Sequence, residues 1–266
     1  MLYFTRNARD PKPGILNRLH RAWRRIVFFV GDIHLMHTFP YITWDNSGPQ
    51  MDYKEAMDAL RHIRAGDIGL HRDWGYLSNV AIPGFMKHAW IHINEPQTNG
   101  IHDISNMNIV EAVSEGVLKR SALHPLISEY VIILRPKGMN EIDIKHAVSK
   151  AEKIVGCNYD ADFKFDIEQE LEHFNETNLK NLAAEWDGGF SCTEAVSFAW
   201  WHKHEELGLY RVHTRGKDVI LADNMLNRNF EIIWMSKTIT PEIAASYGMP
   251  EEGVQIIKDY RDKNIN

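Results

Sequence analysis

The stretch GGFSCTEAVSFAW, residues 188–200, gathers at one point the residue types that nucleophilic chemistry needs. Ser191 and Glu194 have the S-x-x-E spacing of a capping box. In that motif the serine hydroxyl accepts from the Glu194 backbone N–H, and the glutamate carboxylate accepts from the N–H of Ser191. Ser191 is then the N-cap and Cys192 the first helical residue. The unsatisfied amides and the dipole of a helix N-terminus favour the thiolate, the reactive form of cysteine. They can also stabilise an oxyanion formed by attack on a carbonyl. Gly188 and Gly189, just upstream, would let a substrate backbone approach closely. A cysteine beginning a helix is otherwise an ordinary buried residue, so the chemistry depends on whether a base stands beside it.

Fourteen histidines are available, and position has to select among them. His88 begins an alternating run, HAWIHI, and an imidazole at the start of a strand beside a helix-borne cysteine is a workable thiolate–imidazolium geometry. His92 on the same strand face and His102 further on compete with it. Glu111, flanked by Val110 and Ala112, is costly to bury without a partner, which suits a carboxylate orienting an imidazole. Glu115 is its less embedded rival. Lys87 precedes His88 and either lends its charge to the site, recruits an acidic substrate, or points to solvent. His88, His92 and His102 could also ligate zinc with neighbouring acids, but nothing in their spacing demands it, so no metal and no cofactor are expected.

The elements that would position these residues follow from periodicity. YKEAMDALRHI (53–63) has apolar residues at helical spacing, with Gly66 as a candidate C-cap. Strands are expected at GDIGLHR (66–72), at 88–93 with Ala89, Ile91 and Ile93 on one face, at 108–113, at 129–136 and at 230–236. The continuous Val131–Leu134 run suggests burial on both faces. Helices are expected at about 141–155, from Cys192 to about 205, and in two C-terminal pieces starting near Thr240-Pro241 and Pro250. Strands grouped between helices point to an α+β fold with an antiparallel sheet.

The whole chain bounds the function. Its 266 residues are ordinary in composition, with a net charge of −6. Residues 1–30 carry seven Lys/Arg against one acid, so the rest carries 23 basic and 35 acidic residues, or −12, a poor surface for nucleic acid. Residues 15–30 set arginines around an apolar stripe, too short to span a bilayer and without a signal cleavage site. They form either a helix docked on its own domain or one in peripheral contact with an anionic membrane. Two cysteines, Cys157 and Cys192, build neither a disulfide framework nor a structural zinc site. A reducing, cytoplasmic setting is expected, with membrane-peripheral contact as the second option.

An ordered set of segments then resembles one family: RAGDIGL (64–70), IPGFMKHAWIHI (82–93), IVEAVSEGV (109–117), VIILRP (131–136), GCNYDADFKF (156–165) and FSCTEAVSFAW (190–200). Together they resemble the YiiX-like branch of the permuted papain-like (NlpC-type) cysteine hydrolases, remotely related to lecithin retinol acyltransferase. The resemblance implies Cys192 as nucleophile, His88 as general base and then acid, and Glu111 as the orienting group. It also implies a permuted papain-like fold: a small antiparallel barrel-like sheet packed on the cysteine helix, with extra N- and C-terminal helices. Tyr159 and Ser191 are further candidates near the oxyanion, and Asp67 and Asp160 stand at family positions where shaping turns suffices. Lys87 departs from the small hydroxyl residue often found before the family histidine. The implied organisation is an N-terminal extension (1–55), a hydrolase domain (56–236) and a C-terminal helical extension (237–266). The implied activity is cleavage of an amide or ester in a peptide, amide or lipid-like substrate through an acyl-enzyme. Acyl transfer or phospholipase action, and a catalytically idle binding module, are the alternatives.

Overall fold

Strict alternation of side chains along the strands sorts the apolar residues into two cores, one on each face of a single sheet. The computed structural model describes residues 51–73, 82–94, 107–160, 189–214 and 217–264, with the backbone of strands β1 (Met36–Thr38) and β2 (Tyr41–Thr43), which pair as a hairpin. The main sheet comprises β3 (Ile68–Arg72), β4 (His88–His92), β5 (Ile109–Val113), β6 (Gly116–Arg120), β7 (Tyr130–Pro136) and β10 (Phe230–Met235). Its order is β10-β7-β3-β4-β5-β6, with every neighbouring pair antiparallel. A small hairpin, β8 (Val212–Thr214) with β9 (Lys217–Val219), stands apart from it. The protein is therefore α+β with a six-stranded antiparallel sheet. Among the described residues the end strands β10 and β6 are not hydrogen-bonded to each other.

One face buries Ile68, Leu70, Ala89, Ile91, Val110, Ala112, Ile132 and Leu134 under helices α3 (Glu141–Lys153) and α4 (Cys192–Ala199). The opposite face buries Trp90, Ile109, Val131, Ile133 and Trp234 against α1 (Tyr53–His62) and α2 (Leu123–Leu126). The Val131–Leu134 run is buried on both faces, as its continuity predicts. In β10 a bulge between Ile232 and Trp234 turns the indole to the α1 side.

Several boundaries differ from the sequence expectation. Helix α1 ends at His62, short of Gly66. The Asp67 carboxylate accepts from the Arg64 N–H at 2.7 Å and from Arg135 at 2.8 and 2.7 Å, which fixes a turn in which Gly66 adopts φ 88°. The cysteine helix breaks after Ala199 into a 3-10 turn, Trp201–Lys203, and α5 (His204–Leu207), which ends on left-handed Gly208. Strand β6 is not among the expected strands, because GVLKR lacks a long alternating run. The C-terminal helices α6 (Pro241–Ser246, N-capped by Thr240) and α7 (Glu251–Asn264) bring Ala244 and Ile257 into the α4-side core. No helix among the described residues is long and apolar enough to cross a membrane. Residues 15–30, His102, Gly188 and most of the acidic segment after Asp160 lie outside the described residues.

Candidate active site

Helix α4 meets the sheet at the beginning of β4. All eight of its residues are buried, and Cys192, at 4% exposure, places its Sγ 4.0 Å from the Lys87 carbonyl oxygen. By alternation His88, Trp90 and His92 belong to the α1-side face. His88, however, is the first residue of the strand, so its ring stands at the end of the sheet and pairs with the Cys192 thiol. His92 sits two alternations further in. Its Nε2 accepts from the Trp90 indole N–H at 2.9 Å, and burial pulls its pKa down to about 3. Position along one strand thus separates the two histidines that the sequence left in competition.

Strand β5 lies beside β4 and pairs Glu111 with Trp90. From there the carboxylate reaches the His88 ring, Oε2 to Nε2 at 2.8 Å, leaving Nδ1 for the sulfur. Glu111 is 2% exposed, and its Oε1 lies 3.4 Å from an Arg120 guanidinium nitrogen on β6. Burial alone would raise the Glu111 carboxyl, but the His88 and Arg120 charges outweigh it and hold it at about 2. Burial likewise works against a charged His88, and Cys192 and Glu111 overcome it, lifting the ring to about 10. The ring is thus an imidazolium at neutral pH, held between a sulfur and a carboxylate. Glu115 is exposed and within 3.8 Å of Arg120, away from the histidine pair.

The helix start carries the expected capping box, with Ser191 as N-cap and Glu194 at the third helical position. Glu194 Oε2 accepts from the Ser191 N–H at 2.7 Å, and the Ser191 side chain faces the Glu194 backbone in return. The Glu194 carboxyl is pushed up to about 7 by burial and by the nearby Asp160 charge, against the opposing pull of the Ser191 amide. Gly189 has a different role from the one its sequence suggested. A Cβ there would fall 2.4 Å from Asp160 N and 2.5 Å from the Tyr159 carbonyl carbon, so the close approach is made by the protein's own backbone. Segment 156–160 is held on both sides. Val117 N–H donates to Cys157 O at 2.9 Å, and Phe190 N–H donates to Asn158 O at 2.9 Å. This threading sets Tyr159 close enough to Cys192 to feel its charge. Burial first, then the Cys192, Glu194 and Asp160 charges, raise the phenol well above its ordinary value, so it remains a proton donor.

Lys87 sends its ammonium to the Ile82 carbonyl, and its charge is felt by Asp223. Asp223 is itself buried and accepts from the Phe85 and Met86 N–H groups at 2.6 and 2.7 Å. A Cβ on Gly84, where φ is 93°, would meet Asp223 Oδ2 at 2.5 Å. Asp223 therefore clamps the loop that delivers Lys87 and His88.

Three residues of the neighbourhood escaped the sequence reading: Arg120, because its strand was not recognised; Asp223, because it is 135 residues from His88 in the chain; and His71, the cross-strand partner of His88. An alternation count across two recognised strands could have found His71. Among the described residues no group of three or more His, Cys, Asp or Glu side chains is placed to hold a metal ion. No family model, no curated protein and no solved structure matches this chain.

Proposed function

We propose that the chain is a thiol hydrolase of the peptidase or amidase type, with Cys192 as nucleophile, His88 as proton carrier and Glu111 as the group that orients His88. The observation that carries the reading is the convergence of three chemically matched side chains from β4, β5 and the start of α4, with Glu111 bonded to His88 at 2.8 Å and His88 paired with Cys192. A buried carboxylate beside an imidazolium that is paired with a thiolate is the arrangement of an activated sulfur nucleophile. The permuted papain-like family is the reading of the fold that agrees with the chain order His, Glu, Cys and with an antiparallel sheet packed on the cysteine helix.

The sulfur attacks the carbonyl carbon of an amide or ester, and the backbone amides at the start of α4 and the Tyr159 hydroxyl are candidate donors to the oxyanion. His88 gives its proton to the departing amine or alcohol, the carbon–nitrogen or carbon–oxygen bond breaks, and a thioester remains on Cys192. Neutral His88 then takes a proton from water, whose oxygen attacks the thioester carbon. The acid leaves, and sulfur and imidazolium are restored. Glu111 keeps the ring in the tautomer and orientation that both halves need.

Iodoacetamide labelling tests the reading on the chain itself, because Cys157 is a half-buried internal control. Although Cys192 is more buried, it should label at least about tenfold faster than Cys157 at neutral pH, and His88→Ala should remove that advantage. Activated acyl esters should leave a burst of product and an acyl adduct on Cys192. Equal labelling of the two cysteines, unchanged by His88→Ala, would sink the reading and leave a binding module.

A further inference from the structure

His71 lies against the site, yet none of the roles above uses it. Its Cα pairs with that of His88 across β3 and β4, and its ring centroid is 4.8 Å from that of His88 and 5.4 Å from that of Trp90. The ring thus fills the space between the histidine base and the buried indole. The two contacts are tilted, at interplanar angles of 32° and 46°, and Gly69 leaves room for the Trp90 ring beside its backbone, where a Cβ would fall 2.0 Å from it. Hydrogen bonding does not explain the ring's placement. Its Nδ1 is buried without a partner, and its Nε2 is 3.6 Å from Asp73 Oδ2. What it offers its neighbours is a face.

The charged and titratable groups around His71 are Asp73, His88, Glu111 and His124. Burial dominates over the Asp73 charge and brings its pKa down to about 4, so at neutral pH the ring is uncharged beside a charged His88. A neutral aromatic face attracts a cation, whereas a second imidazolium would repel one. Its backbone serves the same corner: His71 O accepts from the Lys87 N–H at 2.9 Å, and the Lys87 carbonyl lies beside the Cys192 sulfur.

We propose that His71 is a positioning residue for Cys192, His88 and Glu111, its ring packed on the His88 imidazolium to hold it in line with Glu111 and to keep water from the bond between them. The inference rests on the thiol-hydrolase reading and extends it to a fourth side chain that acts only through His88.

The test uses the full chain and two readouts: Cys192 alkylation by iodoacetate from about pH 5 to about pH 11, and histidine side-chain nitrogen NMR over the same range. His71→Ala should move the His88 titration and the basic limb of the alkylation profile down by about one pH unit, and so lower the rate severalfold at about pH 9.5 to 10 while leaving it nearly unchanged at neutral pH. His71→Phe, which keeps an aromatic face, should stay within about twofold of the wild type. A folded His71→Ala protein with the wild-type limb and rate overturns the proposal. If that variant does not fold, His71→Leu replaces it, keeping bulk without the aromatic face, and a wild-type profile there overturns the proposal equally. Failure of the parent reading looks different: wild-type Cys192 would then be no more reactive than Cys157. In that case the NMR titration still decides, since a His88 pKa unmoved by losing the His71 ring overturns the packing role on its own.

Discussion

Glu111→Gln removes one charge and almost no volume, so it isolates the electrostatic part of the site. The carboxylate is 2% exposed and accepts from His88 at 2.8 Å, so solvent screens the pair weakly. A hydrogen bond to a charged group of this kind contributes about 1.5–3 kcal/mol. At about 1.4 kcal/mol per pH unit, its loss should lower the His88 pKa by about one to two units from its value near 10. The amide oxygen can still accept from the ring, so orientation is largely kept, while the Arg120 guanidinium 3.4 Å from Oε1 loses one of its two counter-charges and keeps Glu115. The sign follows from linkage. His88 has a raised folded pKa, so its stabilising contribution is full below about 6.5 and disappears as pH climbs through about 10. In the Gln variant that disappearance should come at about pH 8–9. The assay is the pH–rate profile of Cys192 alkylation together with urea unfolding at neutral and alkaline pH. A folded variant whose basic limb stays with the wild type would refute the reasoning, because the Glu111 charge would then not be what keeps His88 protonated.

Acid should destabilise the fold through two buried neutral histidines. His71 and His92 have folded values of about 4 and about 3, so below about 6.5 the unfolded chain binds more protons, at up to about 1.4 kcal/mol per pH unit for each. The Glu194 carboxyl, with a folded value of about 7, takes up a proton in the same range and offsets this loss, so the test uses Glu194→Gln: urea unfolding should give a stability about 3 kcal/mol lower at about pH 5 than at about pH 7, and equal values would contradict both assignments. Gly189→Ala drives a Cβ into the Tyr159–Asp160 backbone at 2.4–2.5 Å. It should cost about 3 kcal/mol by thermal or urea unfolding, with Cys192 labelling slowed as the helix start shifts; a neutral substitution would show that the two segments do not meet this closely. Asp223→Ala leaves the buried Phe85 and Met86 N–H groups without their acceptor. A loss of about 2–5 kcal/mol is expected, with a slower Cys192 reaction whose pH limbs stay where they were, and a shift of the limbs would mean that Asp223 acts by charge rather than by holding the loop.

The local parts of this protein were legible because they depend on near neighbours in the chain. Alternation in HAWIHI assigned Ala89 and Ile91 to one face and Trp90 to the other, and the two cores follow that division. The S-x-x-E spacing located the start of the cysteine helix at Ser191 and Cys192. It did not reveal the Asp160 charge that helps push the Glu194 carboxyl up, since that charge comes from a distant segment of the chain. Nor could it show that Gly189 makes room for residues 159 and 160, a contact between segments about 30 residues apart.

What the sequence determined by itself was the inventory: one cysteine at a helix N-terminus, histidines on a strand, an apolar-flanked glutamate, and an α+β alternation of elements. Alternation by itself does not separate His88 from His92, because the two share a strand face; tertiary structure brings His88 to the thiol, since only it reaches the sheet's end. It alone brought in Arg120 from β6 and Asp223 from beyond the cysteine helix. Periodicity fixes the face on which a side chain stands, whereas sheet order and register fix its neighbours, and the pKa values at this site are set by those neighbours.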